Sequence, residues 1–332
     1  MKNLSIMKKG VALGADYIPY KELFKISKLA ESLGFNQISV PEIWGHDQVS
    51  TITTMLNLTE NITVSSGIMN MYSRTPALVA MTAASLSEMS EGRFILGLGL
   101  SGPQVVRGLH GRDFKKPIKH TREFVKVVRD LLSYSRAELD SELLGKLSGF
   151  RLSFKPSYNV PIHIAALGPR NMRLTSEIAD GWIPVFMSKE GLSENIEKMR
   201  TSSPTNLENF EITPFILSAV GEDEKIKNLL RAHLGYYFGG MGTFYNEMLK
   251  RMGFESEADE IMSKFQKGDV NGAYAAITDE MLYKTCVFGE PADMRDKLEN
   301  YYKIGVTTPI ISVPFRAPPK VAMDTLMVFG NQ

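Results

Sequence analysis

Short apolar runs alternate with longer amphipathic stretches along the chain, and this alternation limits the possible folds more than any other feature. Eight runs predict strands, at residues 10–15, 37–42, 62–69, 93–99, 161–167, 181–185, 210–220 and 307–315. Between them, stretches such as KELFKISKLAESLGF carry apolar residues at helical spacing, and Gly34 marks a helix end there. Alternating strands and helices form parallel sheets, and eight such units favour a closed (β/α)8 TIM barrel over an open doubly wound sheet.

The domain organisation follows from the same pattern. The 332 residues would suffice for two average domains, but barrels of this kind use the same length for one. Since no repeat or linker divides the chain, we predict a single domain over 1–332 with insertions at about 115–159 and about 235–287. The first insertion contains GFRLSFKPS, which suggests a small hairpin cap, and the second is helical and rich in Met, Tyr and Phe. Insertions at the C-terminal face of a barrel build or cover active sites.

Charge and cysteine content narrow the classes of function. Thirty-eight basic and 37 acidic side chains nearly balance, so we expect a small-molecule partner rather than a nucleic acid or a membrane. The single cysteine, Cys286, excludes an internal disulfide, and the five histidines lack the paired spacing of a zinc motif, so no metal is expected. We find neither a secretion signal nor a membrane-spanning run and predict a cytoplasmic protein.

The stretch FILGLGLSG contains a G-x-G-x-x-G pattern in Gly97, Gly99 and Gly102. This pattern is typical of dinucleotide binding when an acidic residue about twenty positions later ends a strand. Here the pattern follows the fourth predicted strand, and Glu123 falls inside an amphipathic helix, so the dinucleotide interpretation is disfavoured. Glycines at a strand end still let a ligand or another backbone approach closely. We expect Gly99 and Ser101 to contact a ligand, whereas Gly97 is equally compatible with close strand packing.

Two long blocks, SGIMNMYSRTPALVAMTAASLSEMSEGRFILGLGLSGPQVVRGLHG and IHIAALGPRNMRLTSEIADGW, resemble the bacterial-luciferase-like superfamily of flavin- and deazaflavin-dependent oxidoreductases. The resemblance is strongest to branches that use the deazaflavin coenzyme F420 and more distant to methylenetetrahydromethanopterin reductase. It implies a TIM barrel and an enzyme that binds coenzyme F420 in preference to FMN. It says much less about the substrate.

The resemblance also implies cofactor-binding residues. Members of the superfamily carry a non-prolyl cis peptide behind the coenzyme ring, and the match SSGIMN places it between Gly67 and Ile68, where an ordinary strand end is the alternative. The segment AALGPRN is implied to hold the coenzyme phosphate or the linker to it, because backbone N–H groups and a helix N-terminus meet there. Its candidates are Ala165, Ala166, Leu167, Gly168, Pro169 and Arg170, although Arg170 also suits a solvated helix position.

The candidate catalytic residues are Glu42, Asn70 and His110. Glu42 ends the second predicted strand, where some deazaflavin enzymes have a histidine, and His46 is displaced from that position. A carboxylate there can donate a proton or hold a substrate, although it can also cap a loop. Asn70 is expected to reach the ring edge or the substrate, whereas Arg74 is expected to anchor the next helix. His110 faces the pocket in one interpretation and is structural in the other.

The favoured function is hydride transfer between a deazaflavin or flavin and an organic substrate. An FMN-dependent monooxygenase and a non-catalytic flavin-binding protein are the alternatives, and the late insertion favours an enzyme over a carrier. A homodimer is expected because superfamily members commonly pair through early helices, and Leu78, Met81 and Met89 leave an apolar face to cover. The second insertion carries large apolar and aromatic side chains that would either line the pocket or pack inside the insertion. These are Tyr236, Tyr237, Phe238, Met241, Phe244 and Tyr245.

Overall fold

The computed structural model of the protein describes residues 7–14 and 18–330. Its strands are β1 (Gly10–Ala12), β2 (Gln37–Val40), β3 (Thr63–Ser66), β4 (Met69–Asn70), β5 (Phe94–Gly99), β6 (Ala137–Ser141), β7 (Gly145–Phe150), β8 (Ile162–Ile164), β9 (Gly181–Trp182), β10 (Glu211–Ile212), β11 (Phe215–Val220), β12 (Cys286–Gly289) and β13 (Ile310–Ser312). Its helices are α1 (Tyr20–Ser32), α2 (Gln48–Leu58), α3 (Pro76–Met89), α4 (Pro103–Gly108), α5 (Pro117–Leu132), α6 (Pro169–Ile178), α7 (Lys189–Ser202), α8 (Glu224–Gly240), α9 (Thr243–Arg251), α10 (Glu255–Gln266), α11 (Val270–Ala275), α12 (Asp279–Thr285), α13 (Pro291–Lys303) and α14 (Pro319–Phe329).

The main sheet is mostly parallel and curled. Its strands follow the order β10, β9, β8, β5, β3, β2, β1, β13, β11 and β12, and β4 pairs beside β5. Only Thr213 and Pro214 separate β10 from β11 in the chain, and Val185, which follows β9, bridges Phe215 at the start of β11. The sheet therefore curls back towards its own first strands, and helices connect successive parallel strands.

Each of the eight predicted runs contains a strand, although residue 15 of the first run lies outside the described residues. Two runs are divided, the third into β3 and β4 and the seventh into β10 and β11, where Pro214 lacks the N–H that a continuous ladder needs. The strand β12 was missed because four residues at the end of a long helical stretch carry little pattern of their own.

The first insertion differs from the prediction. Its antiparallel hairpin is β6–β7, and most of GFRLSFKPS follows that hairpin rather than forming it. The hairpin lies along α5, where the Ser141 hydroxyl donates a hydrogen bond of 2.6 Å to Glu123 and Glu142 pairs with Lys116 at 2.6 Å. It therefore covers the outer side of a helix instead of capping the strand ends.

The second insertion is helical as predicted, but it begins earlier. The helices α8 to α12 fill the chain from Glu224 to Thr285, so the first of them starts about ten residues before the predicted boundary. None of the helices in the described part of the chain combines the length and hydropathy needed to cross a membrane.

The interior of the sheet explains Gly97. A Cβ atom at this position would overlap the carbonyl oxygen of Ser66 on the neighbouring strand. The Ser66 hydroxyl donates to the Gly97 carbonyl and accepts from the Gly97 N–H, both at 2.8 Å. Because the atom that a Cβ would overlap is a backbone oxygen of a buried strand, only glycine permits this approach. The packing alternative for Gly97 is the one that the structure favours.

Candidate active site

A cavity of about 1170 Å³ opens at the C-terminal ends of the parallel strands. Its lining includes residues that follow β2, β3, β5, β8, β9 and β13, together with residues of the second insertion. In parallel α/β sheets this edge collects loops and helix N-termini from distant parts of the chain. It is therefore the expected place for a ligand site.

Most of the predicted cofactor-binding residues meet on this cavity. The lining contains Gly67, Ile68, Gly99, Ser101, Ala165, Leu167, Gly168, Pro169 and Arg170. The peptide bond between Gly67 and Ile68 is cis. Ala166 is the exception, because its side chain is buried in the core and its carbonyl accepts a hydrogen bond of 2.9 Å from Trp182 Nε1.

Gly67 has almost no room for a side chain. A Cβ atom there would overlap the Ser39 hydroxyl and lie 2.6 Å from Cζ of Phe215. Gly99 is similarly close to Ile68, whose Cδ1 would lie 2.7 Å from a Cβ. Gly67 and Gly99 therefore contribute only backbone to the cavity, beside the side chain of Ile68.

The N-terminus of α6 also faces the cavity. Gly168 is its N-cap, makes no side-chain capping hydrogen bond, and has nothing within 4 Å of the position that a Cβ would occupy. The buried Oδ1 of Asn171, in the first turn, has no hydrogen-bond partner in the described part of the protein. A helix N-terminus with first-turn N–H groups beside open space suits an anion.

Glu42 lies on the cavity and forms an ion pair with Arg74. The two guanidinium nitrogens of Arg74 lie 2.6 and 2.8 Å from the carboxylate oxygens, and Asp47 adds a contact of 3.1 Å. The side chains of Glu42 and Arg74 are only 14% and 15% exposed. The hydrogen bonds that Arg74 donates to Glu42 raise the pKa of Arg74 further above its usual value. A proton on Glu42 would break this bidentate pair, which argues against the role of a proton donor.

The pairing also changes the interpretation of Arg74. The helix α3 is capped by Thr75, whose hydroxyl accepts the N–H of Leu78 at 3.2 Å. Arg74 instead crosses to the loop after β2. Arg74 therefore does not cap α3, but its ion pair ties the residue before the cap to that loop.

Two candidate catalytic residues lie away from the cavity lining. Asn70 is buried in β4, and its Oδ1 accepts the N–H of Tyr72 at 2.8 Å, so its side chain shapes the turn after the strand. His110 follows α4, and its Nε2 is buried without a hydrogen-bond partner in the described chain. Neither side chain contributes to the lining among the residues that the structure describes.

The second insertion supplies an aromatic wall, defined by Tyr236, Tyr237, Phe244 and Tyr245. Met241 also lines the cavity, whereas Phe238 is fully buried in the core. Sequence reasoning missed other lining residues, which include Trp44, His46, Phe186, His233, Phe315 and Arg316. A single histidine or aromatic residue forms no repeating pattern, so the sequence does not show whether it lines a pocket or packs in the core.

The glycine pattern of β5 does not build a dinucleotide site. Gly102 is the N-cap of α4, but that helix has only six residues. Glu123 follows the glycines by about twenty residues, where the dinucleotide pattern expects an acidic ribose ligand. Its carboxylate instead accepts a hydrogen bond from the Ser141 hydroxyl on the hairpin. Among the described residues, no three His, Cys, Asp or Glu side chains are grouped so that they could hold a metal ion.

A family model described as luciferase-like monooxygenase matches residues 4–308. The chain belongs to this family. It is an enzyme family, and the predicted superfamily is confirmed. A protein of Mycobacterium tuberculosis named "Putative coenzyme F420-dependent oxidoreductase" is 30% identical over 92% of this chain and 95% of its own length. The 5,10-methylenetetrahydromethanopterin reductase of Archaeoglobus fulgidus is 29% identical over 94% of this chain and 96% of its own length.

The structure of the coenzyme F420-dependent tetrahydromethanopterin reductase from Methanopyrus kandleri has the same fold. It superimposes with a TM-score of 0.80 over 97% of both chains, at 21% sequence identity. At this level of identity the likeness bears on the fold alone. It supports the α/β architecture with a curled, mostly parallel sheet.

Proposed function

We propose that this luciferase-like protein is an oxidoreductase that transfers a hydride between coenzyme F420 and an organic substrate, on a closed (β/α)8 barrel. One observation carries the proposal: a single cavity collects the Gly67–Ile68 turn, the glycine end of β5 and the N-terminus of α6. The first two offer a flat backbone surface, and the third offers an anion site. The names of the two sequence relatives support coenzyme F420 over FMN.

The residues present fit such a coenzyme. The backbone at Gly67, Ile68 and Gly99 would lie against a ring system, and the open space at Gly168 would receive a phosphate. The unpartnered Oδ1 of Asn171 would accept a hydrogen bond from a hydroxyl of the coenzyme. When bound, the deazaflavin would supply or accept the hydride.

The chain's own contribution is binding, orientation and the exclusion of water. The aromatic wall forms one side of the cavity. Trp44, in the loop after β2, approaches this wall, with its ring centroid 6.5 Å from that of Tyr236. The ion pair of Glu42 with Arg74 would fix the loop after β2 beside the ring site. Positioning groups of this kind lower a barrier by holding reactants in the productive geometry.

An FMN-dependent monooxygenase is the second candidate, and the description of the matching family favours it. Titration of the purified protein with coenzyme F420 and with FMN in parallel separates the two. We expect coenzyme F420 to bind at least tenfold more tightly, with no oxygen consumption in its reduced form. Tighter binding of FMN with oxygen uptake would replace the proposal, and failure of every reduced coenzyme to turn over would favour a carrier.

We also propose that the protein forms a homodimer through α3. Leu78, Met81 and Met89 are 48%, 53% and 56% exposed, and with Ser85 they form one face of this helix. A second copy would remove this apolar stripe from water. Sedimentation at micromolar concentration should show a dimer that Met81→Glu dissociates, and a monomeric wild-type protein would refute the proposal.

A further inference from the structure

His233 occupies a buried position on the cavity, and no sequence pattern pointed to it. It lies on α8, is 7% exposed, and is part of the cavity lining. Its Nδ1 accepts the backbone N–H of Phe315, in the loop after β13, at 3.0 Å. The ring is thus held by a main-chain contact between elements that are 82 residues apart in the chain.

Aromatic rings surround this imidazole on several sides. Tyr237 stacks on it with ring centroids 5.1 Å apart and planes 23° apart. Phe315 lies at 4.8 Å, and Phe186 meets it edge-on at 5.5 Å. These contacts restrict the rotation of the ring, so its orientation is fixed before any ligand binds.

The hydrogen bond to Phe315 determines where the proton of the imidazole resides. Because Nδ1 accepts, a neutral ring carries its hydrogen on Nε2. Burial lowers the pKa of His233 to about 3, which keeps the ring neutral in neutral solution. His233 makes no other hydrogen bond within the described residues, so Nε2–H is the donor that it can offer to the cavity.

We propose that Nε2 of His233 donates a hydrogen bond to the carbonyl oxygen of a ketone or aldehyde that carries an aromatic or alicyclic ring. The ring contacts of His233 are all with uncharged aromatic side chains, which suit a ring-bearing substrate, and a neutral donor suits a carbonyl acceptor. This inference rests on the proposed function, since it takes the cavity as the substrate site.

A carbonyl group also fits hydride transfer. The hydride would come from the reduced coenzyme of the proposed function, whose C–H bond breaks as the new C–H bond forms on the carbonyl carbon. The π electron pair moves onto the oxygen, which then takes a proton from water at the open mouth of the cavity. His233 keeps its own proton throughout and stabilises the negative charge that grows on that oxygen. His233 is therefore assigned as a substrate-positioning donor rather than as an acid.

Tyr245 is one rival donor on the same wall, which also carries the hydroxyl groups of Tyr236 and Tyr237. Its ring lies 5.1 Å from that of Tyr237, and burial raises the pKa of its hydroxyl to about 12, so this group also stays protonated. An experiment must therefore show that loss of the His233 donor alone removes the effect.

The test compares acetophenone with α-methylstyrene, which has nearly the same shape but a methylene group in place of the carbonyl oxygen. Binding is measured by calorimetry on the full chain, with and without saturating oxidised coenzyme F420, so that no turnover occurs. The wild-type protein should bind the ketone about fivefold more tightly, as expected for one neutral hydrogen bond.

Two substitutions divide the functions of the imidazole. His233→Asn keeps an acceptor near the position of Nδ1 for the Phe315 N–H but lacks the distal donor, and the ketone preference should fall to within twofold. His233→Gln places an amide nitrogen near the position of Nε2 and should retain the preference, as should Tyr245→Phe.

Equal affinity of the wild-type protein for the two probes would overturn the proposal, as would a preference that survives in folded His233→Asn. If His233→Asn fails to fold, Tyr245→Phe and His233→Gln decide, because loss of the preference in either one while it remains folded contradicts the assignment. Failure of the proposed function would appear separately, as absence of coenzyme binding in the same titrations.

Discussion

The cavity has two walls that are built in different ways. The backbone wall consists of Gly67, Ile68, Gly99, Ala165 and Gly168, at the ends of the curled sheet and the start of α6. The aromatic wall belongs to α8 and α9 of the insertion and consists of large side chains. On the proposed function, main-chain geometry would recognise the coenzyme, whereas side chains of the aromatic wall would select the substrate. Changes on one wall should therefore leave the ligand of the other largely unaffected.

The largest effect is expected behind the backbone wall, at Gly97. Gly97→Ala forces a Cβ atom against the Ser66 carbonyl oxygen, and neither backbone can move without disturbing the sheet. We expect a loss of about 3 kcal/mol in the free energy of unfolding, measured by urea denaturation. Gly108→Ala, at the end of α4, is the control, since nothing lies within 4 Å of its new Cβ, and it should not lower the stability. Equal stability of both variants would contradict the close approach.

The anion site on the backbone wall is tested by charge at Gly168. Gly168→Asp places a carboxylate beside the expected coenzyme phosphate, and at about 0.15 M salt the affinity for the coenzyme should fall about ten- to hundredfold. Gly168→Asn has nearly the same shape without the charge and should stay within about threefold of the wild type. Both residues are good N-caps, so neither variant should lower the melting temperature. Similar coenzyme affinities for the two variants would show that the phosphate lies elsewhere.

Removal of the ion pair of Glu42 tests whether this residue takes part in catalysis or stabilises the loop beside the backbone wall. Glu42→Gln removes the charge that Arg74 faces, and we expect a loss of about 1.5 kcal/mol in stability with coenzyme affinity unchanged. Glu22→Gln is the control, because its partner Lys25 lies at 2.8 Å on an exposed surface and should contribute less than about 0.5 kcal/mol. Unchanged stability of Glu42→Gln with a tenfold loss of turnover would restore the catalytic role.

The smallest effect is expected at the edge of the aromatic wall. Phe244→Leu removes a lining ring that is 40% exposed, and acetophenone should bind about threefold more weakly, while coenzyme affinity changes less than about twofold. Phe150→Leu, on the hairpin away from the cavity, should alter neither affinity. A larger loss of coenzyme than of ketone affinity in Phe244→Leu would break the division between the two walls.

Local patterns in the sequence predicted most strands of the main sheet, but not β12 or the β6–β7 hairpin, and the family followed from a resemblance over two long blocks. Each predicted strand run contains a strand, and helices α1, α3, α5 and α6 match the amphipathic stretches. The glycine pattern at the end of β5 pointed to Gly99, and the resemblance to the superfamily implied the other residues of the backbone wall. Strands and helices depend on the conformation of neighbouring residues, which a periodicity of two or 3.6 residues reports directly.

What the chain alone did not determine is which distant side chains meet. Arg74 reaches Glu42 across 32 residues, the Phe315 N–H reaches His233 across 82, and Trp182 binds the carbonyl of Ala166 and holds that residue in the core. Each of these contacts depends on the register of parallel strands and on the placement of an inserted helix, neither of which leaves a local signal. The tertiary structure decided them because curling the sheet brings the ends of separate strands to one edge, where the spacing in the chain no longer sets the distance in space.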